Sequence, residues 1–502
     1  MTHSTKITTR ILPLASALLA AASLAAQSSP PKPPTTIPAL FLSDIHLDPF
    51  HDPAKVAKLN AAPASEWSAL LAAPASTTQP EDSAALQQAC PVRGVDTSNT
   101  LWRSSLAAIR ANAENAKFAV ISGDLLAHAF DCKYKTLLPA ATHADYIAFV
   151  EKTLRYEISG LRANLPGVPI YIAMGNNDSG CGDYKLDTTH DKFLELTAKI
   201  VAEALPETLS PADREAVLRD FSTGGFYSAP LPSPIGRARI LVLDDLFLSG
   251  KYATCSGMSD PAPGLAQLAW LKAQLATARR RNEHVWVVGH IPPGVDLYAT
   301  ARKLTNICAA GKPQMFLGSE NLADILAANA DIVRLALFGH THSDEMRLLV
   351  PESNPTLNTS SRASVAAPGV PLKIFASITP VNGNRPTFTL ASIDPATATL
   401  VDYTVVVASN LTGIATTWSP EYTYSAAYHQ PAFDSAALTT LIAAFQSDPT
   451  AESPASQAYL RNYFPGDISS IIQFAWPQYA CAMNHDSAPG FAQCACASIR
   501  IP

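Results

Sequence analysis

The sequence predicts a layered α/β fold, because short apolar runs alternate with longer amphipathic stretches. The runs are rich in β-branched residues, as is typical of buried strands, and they span residues 37–42, 118–121, 169–174, 240–243, 284–288 and 332–338. The stretches between them carry apolar residues at helical spacing, and they span residues 101–116, 146–161, 193–205 and 265–275. In such folds the functional loops lie at the carboxyl ends of the strands.

The second half of the chain has a different pattern. From residue 372 onward, strand-like runs follow one another without helices, at residues 372–377, 387–393 and 400–408. They predict a second, mainly antiparallel sheet packed on the first. Residues 426–502 indicate a helical appendage that contains cysteines, and the Ala/Ser/Pro-rich residues 60–88 indicate a surface insertion. We therefore expect one main domain over residues 38–425.

Composition excludes two broad classes of protein. The 502 residues are 47% hydrophobic and 16% charged, with a formal net charge of -6. Such a chain is too apolar to be intrinsically disordered. It also gives no electrostatic reason to expect a nucleic-acid duplex as partner, since duplex-binding proteins usually present a basic surface.

The first residues resemble an export signal. Lys6 and Arg10 precede an apolar, Ala-rich run that ends in small residues near Ala26. This pattern predicts a signal peptide over residues 1–26, followed by a Pro-rich spacer over residues 27–37. A retained membrane anchor is the alternative, but the run is short and weakly hydrophobic for a stable span. We expect a secreted or periplasmic protein.

Eight cysteines fit an oxidising compartment. None of them belongs to a paired zinc-binding pattern, and an even number in an exported chain indicates disulfides. Spacing suggests a local pair of Cys481 with Cys494 or Cys496. Free buried thiols are the alternative.

Five short motifs follow the predicted strands. They are SDIH at residues 43–46, GDLLAH at 123–128, GNND at 175–178, GHIPPG at 289–294 and GHTH at 339–342. Each motif alone is a weak signal, since a polar loop after a strand is common. Together they bring aspartate, histidine and asparagine to one edge of what we expect to be a single sheet. That donor set suits two divalent cations that share a carboxylate, and Asp124 is placed for the shared position.

The five motifs, in this order, resemble those of the calcineurin-like metallophosphoesterases. GDLLAH, GHIPPG, QLAWL at residues 267–271 and SITPVNGN at 377–384 are similar to the acid sphingomyelinase-like branch, which includes endopolyphosphatases. The similarity extends over about residues 41–496. It implies a four-layer α/β/β/α sandwich followed by the helical, cysteine-containing appendage.

The resemblance also implies a set of metal ligands. One ion would be held by Asp44, His46, Asp124 and His342. The second ion would be held by the shared Asp124 together with Asn176, His290 and His340. Relatives of this type suggest zinc, while iron, manganese and cobalt remain alternatives for a thiolate-free site. A hydroxide bridging the two ions would attack phosphorus.

One position departs from the commoner family pattern. Many relatives have histidine after the ligand asparagine, and this chain has Asn177, which can bind a phosphate oxygen but cannot act as a general acid. His128 is then the candidate acid, with a structural role as the alternative. By similarity, Thr379 and Asn384 are expected to line the edge of the site and bind substrate, with a structural role of their loop as the alternative.

These observations predict a secreted two-metal hydrolase of phosphodiester or phosphoanhydride bonds. The substrate would be a small-molecule or lipid-head-group phosphoester, and the sequence does not indicate an oligomeric state. Endopolyphosphatase and phosphomonoesterase activities are alternatives, although the motifs lack the lysine and arginine clusters that a long polyanion favours. A non-catalytic metal- or phosphate-binding protein on the same scaffold is the alternative of another class.

Overall fold

Two β-sheets lie at the centre of the fold. The computed structural model describes residues 1–5, 36–189, 192–351, 368–467 and 469–498. Within these residues the strands form two sheets of six. The strands are β1 (Ile37–Leu42), β2 (Ala119–Ser122), β3 (Ile170–Ala173), β4 (Tyr227–Pro230), β5 (Ala238–Val242), β6 (His284–Val288), β7 (Val333–Phe338), β8 (Glu345–Leu349), β9 (Val370–Ile374), β10 (Thr387–Asp394), β11 (Thr399–Ala408) and β12 (Trp418–Thr423).

Helices cover the outer faces of the sheets and form most of the C-terminal segment. They are α1 (Val56–Ala61), α2 (Trp67–Ala72), α3 (Gln79–Ala89), α4 (Asn99–Asn112), α5 (Phe130–Leu137), α6 (His143–Asn164), α7 (Phe193–Ala204), α8 (Pro211–Gly224), α9 (Ala262–Arg281), α10 (Leu297–Arg302), α11 (Asn321–Ala327), α12 (Tyr424–Tyr428), α13 (Ser435–Gln446), α14 (Pro454–Asn462), α15 (Ser470–Phe474), α16 (Trp476–Ala482) and α17 (Ala488–Ser498). Among the described residues, no helix is both long and apolar enough to cross a membrane.

The order of strands in each sheet mixes parallel and antiparallel neighbours. The first sheet has the order β12-β11-β10-β1-β2-β3, and the second has the order β4-β5-β6-β7-β9-β8. β1, β2 and β3 run parallel, as do β5, β6, β7 and β9. β10 pairs antiparallel with β1. The carboxyl ends of the parallel strands therefore point to one end of each sheet.

Alternation along β6 shows why the two sheets stack. Trp286 and Val288 pack into the core shared with the first sheet, whereas Val285 and Val287 pack against α9 and α11. Successive residues of a strand point to opposite faces, so one strand serves both layers. Trp286 touches Phe41 of β1 edge-on, with ring centroids 6.0 Å apart. The four-layer α/β/β/α sandwich that the sequence predicted is confirmed.

The predicted assignment of late strands to a separate second sheet is wrong. β9 joins the second sheet parallel to β7, whereas β10, β11 and β12 extend the first sheet beside β1. Sequence patterns report that a strand is buried but not which neighbour it pairs with. Residues 60–88 also differ from expectation, because they form α2 and α3 and bury Trp67 completely.

Disulfides join the C-terminal helices to the sandwich and to each other. Cys481 pairs with Cys494, which confirms one of the two predicted local pairings, and Cys496 pairs with Cys308. Cys90 pairs with Cys132, and Cys181 with Cys255, so the free-thiol alternative is wrong. The helices after residue 426 share the main hydrophobic core. The domain boundaries and the signal peptide remain predictions, since residues 6–35 lie outside the described residues.

Candidate metal centre

The predicted motifs meet at one end of the sandwich, but they come from both sheets. SDIH, GDLLAH and GNND follow β1, β2 and β3 of the first sheet. GHIPPG and GHTH follow β6 and β7 of the second sheet. The expectation of a single sheet edge is therefore wrong. The site lies where the carboxyl ends of two stacked sheets face each other.

The backbone is strained at five of the predicted ligands. Asp44, His46, Asp124, His340 and His342 have φ angles of 48°, 46°, 55°, 72° and 59°. Residues with a Cβ rarely adopt this left-handed conformation, which costs roughly 1–2 kcal/mol for each residue. Such strain persists only where the surrounding structure enforces it, and it clusters at functional sites.

Asp124 lies between the two halves of the site. Its Oδ2 atom is 3.4 Å from Nε2 of His46 and 3.1 Å from Nε2 of His290. In each histidine the opposite nitrogen is already used: Nδ1 of His46 lies 2.8 Å from the carbonyl of Leu126, and Nδ1 of His290 lies 2.7 Å from that of Ser122. A carbonyl only accepts, so each Nδ1 donates, and Nε2 of the neutral ring would be left to bind a cation beside Asp124.

Asp44 makes the equivalent contacts on the other side. Its Oδ1 atom is 3.3 Å from Nε2 of His342 and 3.8 Å from Nε2 of His46. The backbone N–H of His340 donates to the same carboxylate at 3.1 Å, which ties β7 of the second sheet to β1 of the first. A Cβ at Gly339 would overlap the hydroxyl of Ser43, so only glycine permits this approach.

The two asparagines of GNND have different partners. The Asn176 amide group donates to Asp183 at 2.7 Å, and its oxygen is buried without a hydrogen-bond partner among the described residues. Asn177 donates to Asp124 twice, from its backbone N–H to Oδ1 and from its side chain to Oδ2, both at 2.9 Å. Asp178 accepts from three backbone N–H groups and holds this loop against GDLLAH.

Several nitrogen and oxygen atoms that could bind a metal are buried at the site without a hydrogen-bond partner in the described part of the chain. Among the described residues, no hydrogen-bond partner meets Nε2 of His46, Oδ1 of Asn176, Nε2 of His290 or Nδ1 of His342. Buried polar atoms are normally hydrogen-bonded, so a convergent group of lone pairs needs an explanation. Ligand atoms of Asp124, His290 and His340 lie within 4.8 Å of one another, as do those of Asp44, His46 and Asp124. Two divalent cations fit this set of nitrogen and oxygen donors.

The charges also suit cations. Burial opposes the ionisation of Asp124, but His290 and His46 outweigh it and hold the pKa of this carboxyl below its ordinary value. Asp44 has its pKa lowered in the same way, chiefly by His342. Two carboxylates among neutral imidazoles and an amide would leave two divalent ions with net positive charge, which attracts a phosphate.

His128 lies at the open side of the cluster. Its side chain is 30% exposed and stacks on His46, with ring centroids 4.0 Å apart. Asp96 accepts from Nδ1 and from the backbone N–H of His128, both at 2.8 Å. Burial lowers the pKa of His128, but Asp96 outweighs that effect and raises it. Asp96 therefore fixes the ring through Nδ1, which leaves Nε2 as the nitrogen that could meet a ligand.

Thr379 and Asn384 do not line the open cleft. Both side chains are fully buried. The Thr379 hydroxyl donates to Asp96 at 3.1 Å, and the Asn384 amide donates to Ser377 at 2.9 Å. Their burial argues against the predicted contact with substrate. Thr379 instead orients the carboxylate behind His128, and Asn384 closes its own loop.

A cavity of about 450 Å³ adjoins the centre at His340. Its walls combine aromatic and charged groups from the sandwich and the C-terminal helices, including Arg93, Tyr298, Phe316, Phe464 and Tyr479. Arg347 in the wall is paired with Glu345 at 2.9 Å and so adds little net charge. The cavity has room for an organic group attached to a phosphate bound at the centre.

Sequence reasoning missed the residues that orient the predicted ligands. Asp96 lies in no motif and is separated from His128 by 32 residues, so only the fold reveals the pair. Asp183 follows GNND by five residues, and no sequence pattern marks it as the partner of Asn176. Asp178 belongs to GNND itself, but the sequence does not distinguish an aspartate that binds a metal from one that holds the loop.

Comparison with known proteins agrees with this arrangement. The family described as calcineurin-like phosphoesterase matches residues 37–344, more than half of the chain. The chain belongs to this family. All five motifs lie within the matched residues, and the chain is a metal-dependent hydrolase of phosphoesters.

Curated relatives confirm the predicted branch. Acid sphingomyelinase-like phosphodiesterase 3b of Homo sapiens is 24% identical over 408 residues, which cover 80% of this chain and 81% of the relative. Cyclic GMP-AMP phosphodiesterase SMPDL3A of Mus musculus is 26% identical over 335 residues, which cover 64% and 67%. Among solved structures, a dimetal phosphatase from Danio rerio aligns over 78% of this chain and 100% of its own, with 11% identity and a TM-score of 0.38.

Replacement of Asp183 tests whether Asn176 is oriented as a ligand. In Asp183→Ala the amide loses its partner, and we expect the affinity for one of the two added zinc ions to fall by about 10- to 100-fold. Competition with a chromogenic chelator measures that affinity. Asp187→Ala is the matched control, since Asp187 lies in the same loop and accepts from the backbone N–H of Cys255. Equal affinities in the two variants would contradict the assignment.

Proposed function

We propose that this protein is an exported phosphodiesterase that uses two divalent metal ions. The observation that carries the proposal is the position of one Asp124 oxygen between His46 and His290, with unsatisfied donor atoms converging around it. Asp44, His46, Asp124 and His342 would hold one ion, and Asp124, Asn176, His290 and His340 the other. Zinc suits these donors, and iron, manganese or cobalt are alternatives.

The chain's own residues would orient and protonate the ester. When bound, two divalent ions supply Lewis-acid charge for the phosphoryl oxygens and activate water. Asn177 holds the carboxylate of Asp124 in place through two hydrogen bonds. His128, oriented by Asp96, would give a proton to the leaving oxygen from its Nε2 atom. Thr379 and Lys133 both contact Asp96 and so support the orientation of His128.

The cavity beside His340 supports a diester over the alternatives. Its aromatic walls can enclose the organic group that a phosphodiester carries on the side opposite its leaving group. The wall also contains Asp296, Glu345 and Asp467, so it forms no basic track for polyphosphate. Four disulfides support export, since such bonds persist in oxidising compartments. A small-molecule or head-group phosphodiester is the substrate class we propose.

Substrate preference tests the proposal directly. We expect zinc-loaded protein to hydrolyse bis-p-nitrophenyl phosphate faster than p-nitrophenyl phosphate, because the cavity accommodates the second group. Asp124→Asn should abolish both activities, since it removes the carboxylate shared by the two predicted metal sites. Release of p-nitrophenol is the readout. A preference for the monoester would favour the phosphomonoesterase alternative, and no activity with two metals bound would favour a binding protein.

The role of His128 has a separate signature. We expect His128→Ala to lose about 100-fold or more in rate on methyl phenyl phosphate, whose leaving group needs a proton. The loss on methyl p-nitrophenyl phosphate should be much smaller, since p-nitrophenolate leaves without protonation. The measurement is the hydrolysis rate of each enzyme on a series of methyl aryl phosphates whose phenol leaving groups differ in pKa. His51→Ala, which removes an exposed histidine, is the control. Equal losses on both esters would contradict general acid catalysis by His128.

A further inference from the structure

Tyr184 and Lys251 lie beside His340, outside the predicted set of ligands. The Tyr184 hydroxyl is 3.3 Å from Nε2 of His340, and the Lys251 ammonium is 3.4 Å from the same hydroxyl. Lys251 also lies over the Tyr184 ring, 4.7 Å from its centroid. The ring meets His340 edge-on at a centroid distance of 6.4 Å. These contacts place a phenol and a cation next to the proposed second metal ion.

Two separate loops bring these residues together. Tyr184 follows GNND, and Lys251 lies more than 60 residues later, after β5. The Cys181–Cys255 disulfide joins the loops. Backbone bonds from Ala253 to Tyr184 at 3.0 Å and from Leu186 to Ala253 at 3.2 Å join them again. The pair is therefore held by a built structure and not by chance contact of two surface side chains.

The Tyr184 oxygen lies between two groups that can donate hydrogen bonds to it. Lys251 can only donate, so it occupies one lone pair of the Tyr184 oxygen. A neutral histidine that binds a metal through Nδ1 carries its proton on Nε2, and His340 would then donate to the second lone pair. With both lone pairs occupied, the Tyr184 hydroxyl has only its own proton to offer. Among the described residues, the Tyr184 hydroxyl has hydrogen-bond contacts with His340 and Lys251 alone, so with this tautomer of His340 its proton is available to a group that enters the site.

We propose that Tyr184 donates a hydrogen bond to a phosphoryl oxygen of the substrate and that Lys251 positions the hydroxyl for this contact. The inference rests on the proposed function, because it needs a phosphoryl group at the metal centre. It gives the centre a neutral hydrogen-bond donor beside His340. The Asn177 amide already donates one of its two N–H bonds to Asp124.

Binding of inorganic phosphate to the zinc-loaded protein tests the inference without turnover. Isothermal titration should show about tenfold weaker phosphate binding for Tyr184→Phe, with two zinc ions per chain retained. Lys251→Met should weaken binding less, and it should have little further effect in the Tyr184→Phe background, because it acts through the same hydroxyl. Lys251 is exposed, so this second variant keeps the test valid if Tyr184→Phe folds poorly.

Two nearby substitutions serve as matched controls. Tyr252→Phe removes a hydroxyl that donates to the backbone of Leu186 in the same pair of loops, and Lys185→Met removes an exposed charge beside Tyr184. Both should bind phosphate as wild type does. Unchanged phosphate binding in Tyr184→Phe, or loss of one zinc ion from it, would overturn the inference. A wild-type protein that holds two zinc ions yet hydrolyses no ester would instead overturn the proposed function.

Discussion

The position of one buried carboxylate, Asp124, is the constraint on which the rest of the site depends. It follows β2 at the middle of the parallel part of the first sheet and reaches His290, which follows β6 of the second sheet. Three hydrogen bonds fix this arrangement. Asn177 donates to Asp124, and the two neighbouring histidines donate to the carbonyls of Ser122 and Leu126. Two sheets must therefore stack correctly before the donor atoms can converge.

Stacking of the sheets is in turn a consequence of strand alternation. Trp286 and Phe41 fill the layer between the sheets, and helices cover the outer faces. The strands end at the same level, so the loops after them face one another. Rigid strands then hold ligands in left-handed backbone conformations that a flexible loop would not maintain. The free energy of the packed core thus stabilises a strained and polar centre.

Local sequence patterns predicted most of the strands and the motifs, because each depends on residues close together in the chain, whereas the four-layer architecture was implied by the resemblance to the family. β1 and β6 were predicted with their observed bounds. Strand partners were not predictable: the pairing of β10 with β1 joins residues about 350 positions apart, and nothing local specifies it. The same limit hid Asp96 behind His128 and Lys251 beside Tyr184. The buried positions of Thr379 and Asn384 depend on how their loop packs, which motif similarity alone does not report.

The most direct test of the shared-carboxylate centre is electron paramagnetic resonance of the protein loaded with Mn²⁺. Ions bridged by Asp124 are close enough to couple magnetically, whereas separate sites would give independent spectra. We predict two Mn²⁺ ions per chain and a spectrum of an exchange-coupled pair, which is lost in Asp124→Asn. One ion per chain, or two ions without coupling in the wild-type protein, would contradict the account.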